Sequence, residues 1–173
     1  MDFSPLLNAS PVIQIHAAFA TLALLLGAVQ FFRKKGDATH KAIGRTWVVL
    51  MAIVAGSGLF IWTIRIWGPF SPIHLLSIFV LVMLWRGVTA ARSGDIDKHQ
   101  QTMRGTYLFG LIITGLLTFI PGRTMYRFAF GPDGATPAKL AIFGAVVVAA
   151  LVAAMLVMRW RRTSEGKAFV ATH

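Results

Sequence analysis

The chain contains no cysteine and only six acidic residues. Without thiols there is no disulfide, no thiolate metal site and no iron–sulfur cluster. The acids are Asp2, Asp37, Asp95, Asp97, Asp133 and Glu165, and all lie outside the long apolar runs. That weakens an ion- or proton-coupled transporter, whose relays normally use intramembrane carboxylates. It also removes the carboxylate that often completes a zinc site. Charged residues make up 13% of the 173, against about 25% in an ordinary globular domain. A soluble surface cannot be built at that level, so lipid must cover much of the protein.

What the chain does have is hydrocarbon, with 56% hydrophobic residues. A membrane span needs ~20 mostly apolar residues, and five stretches qualify, at about 11–32, 43–64, 72–91, 106–122 and 139–158. The expectation is an all-α integral membrane protein with five transmembrane helices. Residues 1–158 form its single transmembrane domain, and 159–173 a basic cytoplasmic tail. The opening "MDFSPLLNASPVIQIH" lacks a basic n-region and reads as a retained span, not a cleavable signal.

A net charge of +11 raises the question of nucleic acid, and the placement of the charge answers it. Two connections and the tail, all on one side of the five-span topology, hold 13 of the 17 lysines and arginines. The other side has Arg65, Arg123, Arg127 and Lys139. This is the positive-inside bias, and it predicts a multi-pass protein with its N-terminus outside and C-terminus inside. The basic charge orients the chain and suits anionic lipid heads. No aromatic or groove-reading element stands outside the membrane to read nucleic acid.

A duplication underlies the spans. Aligning His16 on His74 and His40 on His99 superposes two helical hairpins, about 11–65 and 72–123. Arg45 and Arg104 each follow their histidine by five residues, Gly56 and Gly115 by 16, Phe60 and Phe119 by 20. Arg65 and Arg123 pair at the outer ends. Both hairpins start outside, so the repeat is parallel, with a pseudo-two-fold axis along the membrane normal. It predicts a four-helix bundle plus one peripheral helix. That fifth helix carries Ala145, Ala149 and Ala153 at four-residue spacing, a stripe suited to packing within the chain or in a homo-oligomer.

The repeat sorts four of the five histidines into two layers. His16 and His74 form an outer pair, with His16 roughly 8 Å inside the first span at 1.5 Å per residue. His40 and His99 precede their apolar runs and form an inner, wetter pair, roughly 30 Å away. Intramembrane ionisable groups are functional candidates by default, although one histidine near an interface commonly just bonds a neighbouring carbonyl. Two imidazoles without a carboxylate suit haem better than a bare metal ion, because porphyrin already supplies four nitrogens to the iron. Gly56, Gly58 and Gly115, at the depth of the outer pair, either admit the ring or let helices approach closely. Arg45 and Arg104 are candidates for propionates, phosphates or an anionic substrate, or simply anchor helix ends. Phe60, Phe119, Trp47 and Tyr107 stand nearby, where packing or interface anchoring is their ordinary role.

The segments "IHAAFATLALLLGAVQF", "HKAIGRTW" followed by "AGSGLF", and "HQQTMRGTYLFG" resemble a family of small bacterial integral membrane proteins of unknown function. The likeness runs over roughly residues 12–122. In that family the fourth-helix histidine is usually followed by arginine; here Gln100 stands there. The resemblance implies a bacterial inner (cytoplasmic) membrane protein without assigned activity. Histidines paired on four helices are also similar in architecture to transmembrane b-type cytochromes and ferric-reductase-like domains. The leading expectation is therefore a b-type cytochrome-like electron carrier, an oxidoreductase if an enzyme at all. His16 and His74 would ligate haem b. His40 and His99 would ligate a second haem or flank a quinone or redox partner protein. The alternatives are a non-catalytic accessory subunit of a larger membrane complex and, third, a small-molecule transporter. No nucleophile–base constellation suggests hydrolysis.

Overall fold

The computed structural model describes residues 3–62, 68, 71–131 and 134–145. The described residues are mostly helical and contain no strand. Helix α1 is Ser4–Leu7, α2 Pro11–Phe32, α3 Ala38–Gly58, α4 Pro72–Arg92 and α5 Ile96–Tyr107. A π-helical segment, Leu108–Ile113, joins α5 directly to α6, Thr114–Leu117; α7 is Thr124–Phe130.

The helix starts follow from local chemistry. Pro11 and Pro72 open α2 and α4 just after Ser10 and Ser71, where a missing N–H costs nothing and a fixed φ helps. Asp37 caps α3 by accepting from the His40 N–H at 2.6 Å. Asp95 caps α5 by accepting from the Lys98 N–H at 3.1 Å. Both satisfy donors that a helix start leaves bare. The turn after α4 needs Gly94, whose φ of 81° is strained for any residue with a Cβ.

The caps expose an offset within the repeat. His40 lies three residues past Asp37, whereas His99 lies four past Asp95. Gly56 and Gly115 are nineteen and twenty residues past the same caps. The π segment lies between, and a π turn takes up one extra residue without breaking the helix. The Thr114 hydroxyl donates to the Phe109 carbonyl five residues back, at 2.7 Å, and satisfies an acceptor in that widened turn.

One buried cluster draws Ala23 from α2, Trp47, Met51 and Ala55 from α3, Val80 and Leu84 from α4, and Leu111 from the π segment. Met51 is fully buried. It occupies the same place in the first hairpin, eleven past the histidine, that Gly110 holds in the second. A Cβ on Gly110 would lie 3.6 Å from Met51 Cε and 3.0 Å from Val80 Cγ2. The large side chain of one copy thus fills the space left by the small residue of the other. Trp47 Nε1 donates to the Ala23 carbonyl at 2.9 Å, and Tyr107 Oη to the Leu24 carbonyl at 3.0 Å. Both cross to α2 where Gly27 leaves room.

The outer surfaces of these helices are apolar. Leu25, Val49, Leu75, Trp85 and Phe109 are all exposed. In water this would be an aggregating surface; hydrocarbon is its natural solvent. Helices α2 and α4 are long and apolar enough to cross a membrane. The chain divides into two units, Met1–Ala129 and Phe130–His173. In the second, Lys139 Nζ donates to the Phe130 carbonyl at 2.6 Å, and residues 137–145 are helical. Of the expected fifth span, residues from 146 onward, including Ala149 and Ala153, lie outside the described residues, as do Arg65 and the tail at 159–173.

Candidate functional site

The two histidine layers differ in how each ring is held. At one end of the helices, His16 Nδ1 lies 3.0 Å from Ser57 Oγ. The Ser57 hydroxyl has one proton, and the Ile53 and Val54 carbonyls stand 2.7 and 3.0 Å away to take it. Ser57 therefore accepts from His16, which places the imidazole proton on Nδ1 and a lone pair on Nε2.

His74 is held the opposite way. It completes a capping box with Ser71: the Ser71 N–H donates to His74 Nδ1 at 3.1 Å, and Ser71 Oγ lies 3.0 Å from the same nitrogen. Nδ1 is an acceptor there, so the neutral ring carries its proton on Nε2. His74 and Ser71 are both buried. The usual capping box has Glu or Gln at this position, which is why the sequence did not announce His74 as a cap.

His16 and His74 also stand at different counts from their helix starts. His16 is six residues past its cap Ser10, and His74 is three past Ser71. The residue six past Ser71 is Ser77, and a Cβ on Gly58 would lie 2.7 Å from Ser77 Oγ and 3.6 Å from His16 Cε1. Gly58 is thus a point of close approach between α3 and both neighbours. Gly56 and Gly115 are different: a Cβ on either would meet no neighbour within 4 Å. The three glycines thus divide between close helix approach at Gly58 and open surroundings at Gly56 and Gly115.

At the other end, His99 Nδ1 lies 2.8 Å from the Gly87 carbonyl. A carbonyl only accepts, so this nitrogen carries the proton and Nε2 of the neutral ring carries the lone pair. The bond ties the start of α5 to the end of α4. His40 sits one hairpin away, close enough that His99 contributes to its electrostatics. Its Nδ1 is buried with no hydrogen-bond partner among the described residues. Gln30 Nε2 donates to the His40 carbonyl at 2.7 Å, while Gln30 Oε1 is also buried and unpartnered.

Desolvation pushes the His40 imidazole below its ordinary pKa; Lys35, His99 and Arg33 push the same way, against Asp37. With the folded pKa depressed, the unfolded chain binds the proton first as pH falls. Stability contributed by neutral His40 is whole above about pH 6.5 and is lost as pH drops below it. The thermal midpoint in detergent should therefore fall between about pH 7 and pH 5. His40→Gln should flatten that slope, and an unchanged slope would refute the assignment to His40.

Arg45 and Arg104 do not join the histidines. Both are exposed, and Arg104 Nη2 donates to Gln100 Oε1 at 3.2 Å. Gln100, the departure from the usual family arginine, thus serves as the neighbour of Arg104. Trp47 and Tyr107 pack against Gly27 and stand 6.4 Å apart between ring centroids. Ser57, Ser71 and Gln30 are the polar residues that sequence patterns did not assign to these sites. A serine one turn from a histidine on a neighbouring helix leaves no signature in a single chain.

Among the described residues, no group of three or more His, Asp or Glu side chains is placed to hold a bare metal ion. No curated protein and no solved structure matches the chain. A family model described as "Predicted membrane protein (DUF2306)" matches residues 13–157, and the chain belongs to that family.

Proposed function

We propose that this protein is a small membrane-embedded electron carrier of the b-type cytochrome kind, with His40 and His99 as its ligand pair. The observation that carries the reading is the His99 Nδ1–H bond to the Gly87 carbonyl. A backbone acceptor on one ring nitrogen fixes the ring and leaves the other nitrogen as a ligand, the usual support of a metal-bound histidine. The unpartnered, buried His40 Nδ1 is a second polar atom that a bound group would satisfy. The donor set therefore fits haem b, which when bound supplies a one-electron couple.

The chain's own residues would do the rest. Gly87 orients His99, and the Asp37 cap holds the backbone of His40 in place. Arg33 and Lys35, near His40, would offset negative charge there. A quinone headgroup is a further candidate beside this pair, since the His40 imidazole can donate to its carbonyl. In this reading the five spans form a four-helix bundle with one peripheral helix, N-terminus outside, in the bacterial inner membrane. The outer pair is the weaker ligand set, because His74 Nδ1 accepts from the cap.

The test is the absorption spectrum of protein purified from haem-replete cells, oxidised and then reduced with dithionite. A Soret band should be present, lost in His40→Ala/His99→Ala and retained in His16→Ala/His74→Ala. Its absence from the wild type, or its survival in the first double variant, would sink the proposal. Loss only in the second variant would return the ligands to the outer pair. A non-catalytic accessory subunit is the second reading, favoured by the filled centre at Met51. It predicts co-purification with a partner complex and no effect from any histidine change.

A further inference from the structure

Between residues 33 and 45 and between 86 and 104 the chain carries nine lysines and arginines against three aspartates. Two of the three are engaged as caps, Asp37 of α3 and Asp95 of α5. Asp37 also pairs with Arg33 at 3.6 Å. By sequence the charge at this end is strongly unbalanced toward cations.

Within this end, Lys41 and Arg45 are distinct. They stand four residues apart on one exposed face of α3, and neither forms an ion pair among the described residues. Like charges at that spacing repel and destabilise an isolated helix. An anion lying between them turns the repulsion into a clamp. Arg45 is five residues past His40, about 140° around the helix and about 7.5 Å along it. It therefore points away from the histidine pair, and its level is where the apolar run of α3 begins. In the five-span reading of the proposed function, the acceptors at that level are lipid phosphates.

The second hairpin has the corresponding place occupied differently. Gln100 stands four residues before Arg104 and already accepts from it. One cation there is missing and the other is partly satisfied, so the two copies are unequal.

We infer that Lys41 and Arg45 form a binding site for the phosphodiester of an anionic phospholipid headgroup. A guanidinium grips two phosphate oxygens at once, and the ammonium adds a second charge. A zwitterionic headgroup carries the same phosphate but brings its own cation, which these residues repel. The site is separate from the proposed histidine ligands, and its failure would leave them untouched.

The experiment follows lipid binding to the full chain in neutral detergent through the thermal midpoint. Phosphatidylglycerol, phosphatidylcholine and inorganic phosphate are titrated in parallel. Phosphatidylglycerol should raise the midpoint, while phosphatidylcholine and phosphate should not. The apparent affinity should fall on the order of tenfold or more in Lys41→Gln/Arg45→Gln, at about fivefold per cation near an anionic surface. It should fall much less in Arg104→Gln and in Arg86→Gln, an exposed arginine elsewhere at the same end. Equal shifts with phosphatidylcholine would overturn the inference, as would reproduction of the shift by phosphate alone. So would an Arg86→Gln effect as large as that of the double variant, because the surface would then act by bulk charge.

Discussion

Gly27→Ala is expected to destabilise the protein by roughly 1–3 kcal/mol, although alanine is the better helix former. A methyl at Gly27 would collide with the Tyr107 ring edge and lie 2.8 Å from Trp47 Nε1. Neither ring can swing aside cheaply. Tyr107 is pinned by its bond to the Leu24 carbonyl and by Phe31, whose centroid is 5.0 Å away. Trp47 is pinned by its bond to the Ala23 carbonyl. Relief costs at least one of these bonds, about 1 kcal/mol, plus overpacking of about 1–3 kcal/mol, and the helix-propensity gain of about 1 kcal/mol offsets only part. Gly56→Ala supplies the comparison, since a methyl there meets no neighbour within 4 Å. It should be neutral or slightly stabilising. The readout is the unfolding midpoint of both variants in the same detergent; equal midpoints would remove Gly27 from the packing account.

Met51→Ala should cost a similar amount, and its coupling to Gly110 is the sharper test. In a soluble protein a buried Met→Ala change costs about 2–5 kcal/mol, part transfer from water and part cavity. For helices that separate into lipid the transfer part largely vanishes, because lipid tails are as apolar as the core. The cavity and lost dispersion remain, roughly 1–3 kcal/mol. Gly110→Ala alone is overpacked against Val80 Cγ2 at 3.0 Å and should also destabilise. Together the changes should partly compensate, because Met51, with Thr106, also neighbours that methyl and truncation frees its space. A double-mutant cycle should then give a coupling of about 0.5 kcal/mol or more in the compensating sense. Strict additivity would mean that these repeat-related positions do not pack on one another.

These expectations turn on contacts between hairpins, which is where the sequence was least informative. The helix starts rest on residue types that favour such positions, an Asp before α3 and Ser-Pro at the starts of α2 and α4. The helical character of the apolar stretches was also plain, and the family match agrees with a membrane protein. The π segment was not readable. Nothing in "LFGLII" distinguishes a widened turn from an α-turn, because the cause lies upstream in the one-residue offset from the Asp95 cap.

The histidine pattern was legible as a pattern, but the surroundings of each ring were not. Alignment on the residues themselves put His74 opposite His16, whereas counting from the caps puts Ser77 there. The two Ser-Pro starts lie 61 residues apart and the histidines 58 apart, so the rings stand at different counts from their helix starts. Ring orientation was further out of reach. His99 donates to a carbonyl twelve residues earlier on another helix, and His16 meets a serine 41 residues later.

By itself, then, the sequence determined the medium, the helices and the pairing of residue types. Each follows from local composition: apolar runs that need lipid, capping residues that satisfy bare N–H groups, and a duplicated string of letters. Only the tertiary structure decided which copy fills the space of the other and which imidazole nitrogen keeps its proton. Met51 fits beside Gly110 because a large side chain there faces a residue that has none. His74 and His99 differ because one ring meets a backbone N–H and the other a backbone carbonyl. Those are properties of neighbours brought together by folding, and no spacing along a single chain contains them.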